Sequence, residues 1–294
     1  MPAPVCPPDP AAPCGLQHLR SCRAALLGGL LLGPCVAAQA QEAHAAQVAK
    51  APARAWDAAV GFVVSHGPAY PGSARRETQL TPGLALRWGR VSLSSRSAFS
   101  VRSSQAGAGG GLRIELADGE RLRVGLGLRA DSGRRESDSV ELAGLGDVRR
   151  TLRLRLSASY RLDGGWRLRS VTAADLLGRG GGLRGELQTT YDRALSATLG
   201  LNSSLSLGWG DARYMQAYYG VTPEQAARSG YPVSSASAGL RELSLGLGLR
   251  QQLAPRWAVF GGASVSRLVG QAADSPLTRE PDSWNLNLGL VHRF

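Results

Sequence analysis

Most of this chain lacks cysteine, nearly all of it lacks lysine, and none of it holds an apolar run long enough for a membrane helix. The four cysteines (Cys6, Cys14, Cys22 and Cys35) all fall among the first 35 of 294 residues. Beyond them a thiol nucleophile, a zinc–thiolate site and a disulfide framework are excluded. Lys50 is the single lysine, so 33 of the 34 basic residues are arginines. The longest uncharged apolar stretch, Ala24 to Ala38, covers 15 residues, whereas a helix needs roughly 18 to 20 to cross a bilayer. A helical membrane protein is therefore excluded. Disorder is excluded too, because 43% of the residues are hydrophobic and mean hydropathy is -0.12, enough apolar surface to pack or to face lipid. The 38 glycines show no three-residue period, which rules out a collagen-like helix and leaves them to strands and turns.

What is present begins with charge. The formal net charge is +12, but the arginines are spread at strand spacing rather than gathered with aromatics on one helix, so no nucleic-acid partner is expected. At the N-terminus, Arg20 and Arg23 precede AALLGGLLLGPCVAA, and Ala38 and Ala40 form an A-x-A pattern. This layout predicts a signal peptide over residues 1–40, cleaved after Ala40. The 23 residues before the apolar stretch are long for an n-region, which leaves the true start open. Proline directly before Cys35 fits a lipoprotein cleavage site poorly. Residues 41–55, rich in Ala and Gln, read as a periplasmic lead-in with little power to fold, and residues 56–294 as the folded domain.

Beyond Trp56 the sequence turns repeatedly to period two. In ERLRVGLGLRA, Leu122, Val124, Leu126 and Leu128 share one face, and Arg121, Arg123, Gly125, Gly127 and Arg129 the other. TLRLRLSASYR and RELSLGLGLR alternate in the same way. Cutting at turn signals predicts twelve strands: 56–66, 78–88, 91–101, 109–117, 120–130, 149–161, 166–175, 183–191, 195–209, 239–252, 256–268 and 283–294. Ten remains an alternative, because alternation is imperfect in 166–175 and 183–191. Every second connection is short, as at Gly89-Arg90 and Asp118-Gly119. A sandwich gives no reason for that rhythm, whereas an outer-membrane barrel has short periplasmic turns, longer extracellular loops and an even strand number. The expected fold is thus all-β, an antiparallel transmembrane β-barrel of a Gram-negative outer membrane, surrounded by outer-membrane lipid. Aromatics near strand ends (Trp56, Trp88, Tyr160, Trp166, Tyr191, Trp209, Trp257, Trp284 and Phe294) suit interfacial girdles. The final WNLNLGLVHRF places Trp284, Leu286, Leu288, Leu290, His292 and Phe294 on one face and is similar to the C-terminal strand signal of bacterial outer-membrane barrels.

Several stretches resemble the MipA/OmpV family of outer-membrane barrels. They are AYPGS (69–73), LRWGR (86–90), LAGLGDV (142–148), LSASYRL (156–162), GDARYMQAYYGVTPEQAARSGYP (210–232) and LAPRWAVFGGASVSRLVGQAADSPLTRE (253–280). The run from Arg213 to Val221 with the following TPEQA is the most specific. The resemblance implies a non-enzymatic envelope scaffold whose partners are a lytic transglycosylase and a penicillin-binding murein synthase.

The residues themselves leave other readings open. In the long connection, Thr222-Pro223-Glu224-Gln225 predicts a short helix with Thr222 as N-cap, Pro223 first and Gln225 closing a capping box, and Gly230 can stop it. Arg213, Tyr214, Tyr218 and Tyr219 mark this connection as a candidate partner or ligand segment, or as a loop that packs into the barrel mouth. Arg121, Arg123, Arg129, Arg153, Arg155, Arg161, Arg167 and Arg169 are expected to face the lumen, either paired with Glu115, Glu186 and Glu242 or lining a narrow anion-preferring channel or small-solute receptor. Catalysis has little to stand on. Ser65 and His66 are adjacent in a strand and point to opposite faces, and GAGGG (107–111) and GRGGG (178–182) lack the Lys-Ser/Thr of a phosphate loop. No catalytic residue, cofactor or metal ligand is assigned, and the oligomeric state is not legible.

Overall fold

The computed structural model of the protein describes residues 56–95 and 111–294. The expected signal peptide and lead-in fall outside the described residues, as do positions 96–101 and 109–110 of two expected strands. The described chain is a closed antiparallel barrel of twelve strands. In chain order these are β1 (Trp56–Pro68), β2 (Arg76–Trp88), β3 (Val91–Ser94), β4 (Gly111–Asp118), β5 (Leu122–Asp131), β6 (Thr151–Arg161), β7 (Trp166–Asp175), β8 (Leu183–Ala194), β9 (Leu199–Gly210), β10 (Gly239–Ala254), β11 (Trp257–Leu268) and β12 (Asp282–Arg293). Each pairs with its sequence neighbours, and β1 closes on β12 with Phe62 opposite Leu290 and Val64 opposite Leu288. The twelve-strand reading holds and the ten-strand alternative falls, since β7 and β8 pair along their lengths despite weak alternation.

Closure answers a solvent problem. The bilayer core offers no water to unpaired N–H and C=O groups, so strands cross it only when the ring of pairs has no edge. The period-two pattern then assigns the two faces. Leu243, Leu245, Leu247 and Leu249 of β10 are exposed, as are Leu286 and Leu288 of β12. Between them, Ser244 and Ser264 are buried inside. Full burial of one such leucine is worth roughly 1.5–3 kcal/mol, so this outer face is stable in lipid and not in water. Aromatic rings finish it at the short-turn end, where Trp166 packs on Tyr191 at 4.9 Å and His292 lies between Trp257 and Phe294.

Inside, one wall is apolar: Ala59, Val63, Ala258, Phe260 and Val291 form a buried cluster. Phe260 lies across β12 because position 289 is glycine; a Cβ there would stand 2.3 Å from the ring. The opposite wall, β4 to β8, carries Arg113, Arg129, Arg153, Arg155, Arg169 and Arg184.

If the outer face is set by lipid, position along the strand should grade the cost of a charge. Leu247→Arg, at mid-strand, should destabilise the barrel by about 2–4 kcal/mol, and Leu253→Arg, near the short turn, by about 0–1 kcal/mol. Denaturant unfolding in lipid vesicles measures both, and equal costs would refute the membrane placement.

Candidate functional site

Above the loop end of the barrel, several connections form a packed lid. Between β9 and β10 the chain folds into helix α1 (Ala212–Tyr219) and helix α2 (Pro223–Ser229). Helix α2 starts as its sequence predicts: Thr222 and Gln225 form the capping box, and Gly230 ends the helix in the left-handed conformation, φ 74°. Helix α1 is the element that sequence reasoning passed over. Its signal was Asp211, whose carboxylate accepts from the Tyr214 N–H at 2.7 Å.

Two apolar clusters hold the lid. One joins Tyr214, Met215, Tyr219, Ala236, Leu268 and Ala272; the other joins Tyr70, Leu142, Leu145, Val221 and Leu277 from four different connections. Hydrogen bonds stitch them crosswise. The Tyr70 hydroxyl donates to Leu277 O (3.1 Å), Gln225 Nε2 to Leu145 O (2.7 Å), and the Tyr231 hydroxyl to Glu141 O (3.0 Å). Ser275 Oγ donates to Tyr219 O (2.6 Å).

Directly beneath α1 lies a cluster of charges. The Tyr214 ring sits 5.8–5.9 Å from the guanidinium carbons of Arg153, Arg184 and Arg241, within cation–π range. Arg153 has no exposed surface. A buried guanidinium is tolerable only when its donors are met, and here they are: Arg153 binds the Asp131 carboxylate, Gly181 O (2.9 Å) and Gly182 O (3.1 Å). The glycines of GRGGG are therefore a seat for an arginine and not a phosphate loop. At Gly182, φ is 55° and a Cβ would stand 2.3 Å from Tyr214 N, so no larger residue fits under α1. Asp131 also holds Arg184 at 3.4 Å, and Glu242 holds Arg241 at 2.7 Å.

Exposure of the inward side chains changes sharply along the barrel. At the loop end, Arg153 is 0% and Arg241 3% exposed. At the short-turn end, the Arg123 side chain is 47% and that of Arg167 44% exposed. The described lumen is dry under the lid and wet toward the short turns.

The sequence-predicted residues distribute along this gradient. Tyr214 and Tyr219 are buried in the lid, Tyr218 is half-buried against them with its ring stacked on Tyr214 at 4.6 Å, and Arg213 is exposed. Arg153 lies in the cluster below. Arg129, Arg155 and Arg169 face a cavity in the β3–β7 wall. Arg123 pairs with Asp118 at 2.9 Å and Arg167 with Asp192 at 3.3 Å. Arg161 ends β6, exposed, and Arg121 sits in the turn before β5, held by Asp163 at 3.2 Å. Of the expected carboxylate partners, Glu115 holds Arg113 and Glu242 holds Arg241, which brings in two further arginines.

Sequence reasoning missed Asp131, Arg184 and Arg241. Asp131 has the parity of Arg129 and lay one residue past the expected strand end. Arg241 had no such signal, because a bulge between Leu240 and Glu242 turns two successive residues inward. His66 points outward: its Nδ1 is 2.8 Å from Thr78 Oγ1 and its ring packs on Trp284 at 5.4 Å, while Ser65 lies on the inward row.

A family model described as MltA-interacting protein MipA matches residues 60–294. MltA-interacting protein of Escherichia coli (strain K12) is 24% identical over 163 residues, covering 54% of this chain and 63% of that protein. The same figures hold for MltA-interacting protein of Shigella flexneri. The aligned region thus spans less than two thirds of either relative. Among solved structures, the NanC porin is 8% identical with TM-score 0.41, covering 79% of this chain and 98% of that one. A Pseudomonas aeruginosa FadL homologue is 10% identical with TM-score 0.40, covering 81% and 89%. Closure of the barrel rests on its own strand pairing and draws nothing from these two.

The lid tyrosines should titrate apart. Burial pushes the Tyr218 hydroxyl up to about 12. Burial acts on Tyr214 in the same direction, but Arg241, Arg184 and Arg153 outweigh it and hold that hydroxyl below its ordinary 10.0. By linkage, Tyr214 adds stability that is present above pH 10.0 and lost as pH falls through its folded value. Tyr218 adds stability that is full below pH 10.0 and lost as pH rises through about 12. Followed by tyrosinate absorbance, Tyr214→Phe should remove a step below pH 10.0 and leave the one near 12; loss of only a high step would contradict the arginine contacts.

Proposed function

The chain belongs to the MltA-interacting protein MipA family, and from that premise we propose that it is a non-enzymatic outer-membrane scaffold for murein enzymes, a lytic transglycosylase first and a penicillin-binding murein synthase second. The observation that carries this reading is the wet, short-turn end of the lumen. A periplasmic partner has no path to the lid, which is extracellular by the placement of the long connections. It does reach the short turns and the exposed inward side chains of Arg123, Arg161 and Arg167. The names of the curated relatives, which state an interaction with MltA, support the first partner. The murein synthase rests on family resemblance alone.

Charge sharpens the proposal. Asp118 holds Arg123 and also approaches Arg87 at 3.7 Å, and Asp163 and Asp192 each hold one arginine. Arg90 and Arg256 add further cations in the turns. A basic rim suits a partner that presents an acidic face, and such contacts speed encounter and weaken with salt.

A narrow anion-preferring channel or small-solute receptor is the second reading, and the arginine rows favour it. The packed lid opposes passage through the barrel and leaves reception from the periplasmic side as its stronger form.

Two measurements separate these readings. Pull-down from solubilised membranes should recover a lytic transglycosylase, with recovery reduced several-fold by Arg123→Glu plus Arg167→Glu. No murein enzyme recovered by the parent, with or without residues 41–55, would overturn the scaffold. In planar bilayers the refolded parent should show no steady conductance; an anion-selective conductance lost in Arg123→Gln plus Arg153→Gln would establish the channel instead.

A further inference from the structure

The connection between β7 and β8 seats Arg153 on two of its glycine carbonyls, but Arg179, the arginine of its own GRGGG run, takes no part in that seat. Arg179 is exposed at the loop end of the barrel, and its guanidinium donates to Arg150 O at 3.0 Å. Arg149 and Arg150 immediately precede β6 and are exposed as well. Three arginines thus gather where β6 begins and β7 ends. Their support is ordered. The Asp175 carboxylate accepts from the Leu177 N–H at 3.1 Å and the Gly181 N–H at 2.8 Å. Gly178 (φ 64°) and Gly180 (φ 90°) turn the chain through the left-handed region on either side of Arg179. A Cβ on either glycine would meet nothing within 4 Å, so the turn and not crowding requires them.

The surface directly below them is apolar. Pairing continues past the end of β7, where the Leu176 N–H donates to Leu152 O at 2.8 Å. Leu152 and Leu176 therefore stand side by side on the outward row, whose parity Arg150 shares. Leu176 is 52% and Leu177 51% exposed. Leu183 of β8 extends this face, and the Trp209 ring lies over Gly185, where a Cβ would stand 2.2 Å from it; tryptophan at a strand end marks the membrane interface. Other exposed arginines of the loop end are matched by carboxylates: Arg76 by Glu280, Arg135 by Asp138 and Arg267 by Asp282. Arg149, Arg150 and Arg179 enter no ion pair among the described residues. Asp175 is engaged by Thr151 and backbone N–H groups, and Asp147 by the Glu136 N–H. The sequence of 96–110, outside the described residues, holds no Asp or Glu.

We propose that this face binds one outer-leaflet lipid whose head group carries phosphate monoesters, the chemistry of lipid A. Arg149, Arg150 and Arg179 take the phosphates, and Leu152, Leu176 and Leu183 lie along the acyl chains. With the long connections outside, this level of the barrel meets the outer leaflet. Guanidinium forks match phosphate oxygens in pairs, and basic residues beside a membrane surface draw anionic head groups to them. A free phosphate would leave the leucines unused. A phosphodiester lipid presents a single charge, fewer than three arginines can hold. The proposal is independent of any murein partner, because it uses the outer face of the barrel at the end away from the short turns.

Native mass spectrometry of the refolded barrel in detergent, titrated with lipid A, tests it. The expected result is one lipid A held per barrel, bound at least tenfold more weakly by Arg150→Gln plus Arg179→Gln. Lipid A stripped of its phosphates should bind the parent at least tenfold more weakly too. Arg193→Gln, at the short-turn end, should bind lipid A like the parent. Phosphatidylglycerol bound as tightly as lipid A would reduce the face to general contact with anionic lipid and overturn the assignment. Inorganic phosphate that displaces lipid A at equal concentration would overturn it as well. Heat-modifiable electrophoretic mobility reports folding, and the single Arg179→Gln, in an exposed turn, carries the comparison if the double variant does not fold. No lipid A bound by the parent, or binding unchanged in a folded variant, would overturn the site.

Discussion

Everything in this molecule depends on the absence of water from the bilayer core. Backbone groups there must pair with one another, so the strands form a ring with no edge, and β1 must meet β12. The ring then imposes period two on side chains, with lipid on one face and lumen on the other. Leucine at every second position and arginine, serine or glycine between them is the chemical answer to that geometry. Strand parity likewise turns Arg113, Arg129, Arg153, Arg155, Arg169 and Arg184 toward the lumen.

The interior solves a second problem, that of burying charge. Removing one member of a buried ion pair leaves the other uncompensated, at about 3–5 kcal/mol, so partners must be complete. Arg153 has them: Asp131 on the neighbouring strand and two glycine carbonyls of the next connection. Tyr214 then covers three guanidiniums with one ring. Lid and lumen are thus one construction, with α1 seated on the charges that β5, β6, β8 and β10 present.

Much of the barrel was legible because its rules are local. Alternation marked strands within a few residues, and the two-residue turn Gly89-Arg90 fixed register between β2 and β3 without reference to anything distant. The capping box of α2 was equally local. The arginine cluster was not, because its members meet only after strands separated by many residues are set side by side. Arg241 shows the limit: the bulge that turns it inward depends on how β10 meets β9, and nothing in RELSLGLGLR announces it. Asp131 shows a smaller failure, one residue of strand boundary hiding the carboxylate that holds two arginines.

The crosswise stitching of the lid carries a consequence for the order of assembly. The Tyr70–Leu277 hydrogen bond joins residues 207 positions apart, and its two partners emerge beside the first strands and the last. Neither it nor the apolar cluster around it can form until nearly the whole chain has crossed the membrane and the ring has closed. Contacts between such distant residues come late, since chain entropy must be spent before they return anything. The part of the lid around Tyr70 and Leu277 therefore depends on closure of the ring, whereas the cluster of Tyr214, Met215, Tyr219, Ala236, Leu268 and Ala272 draws on the last third of the chain alone.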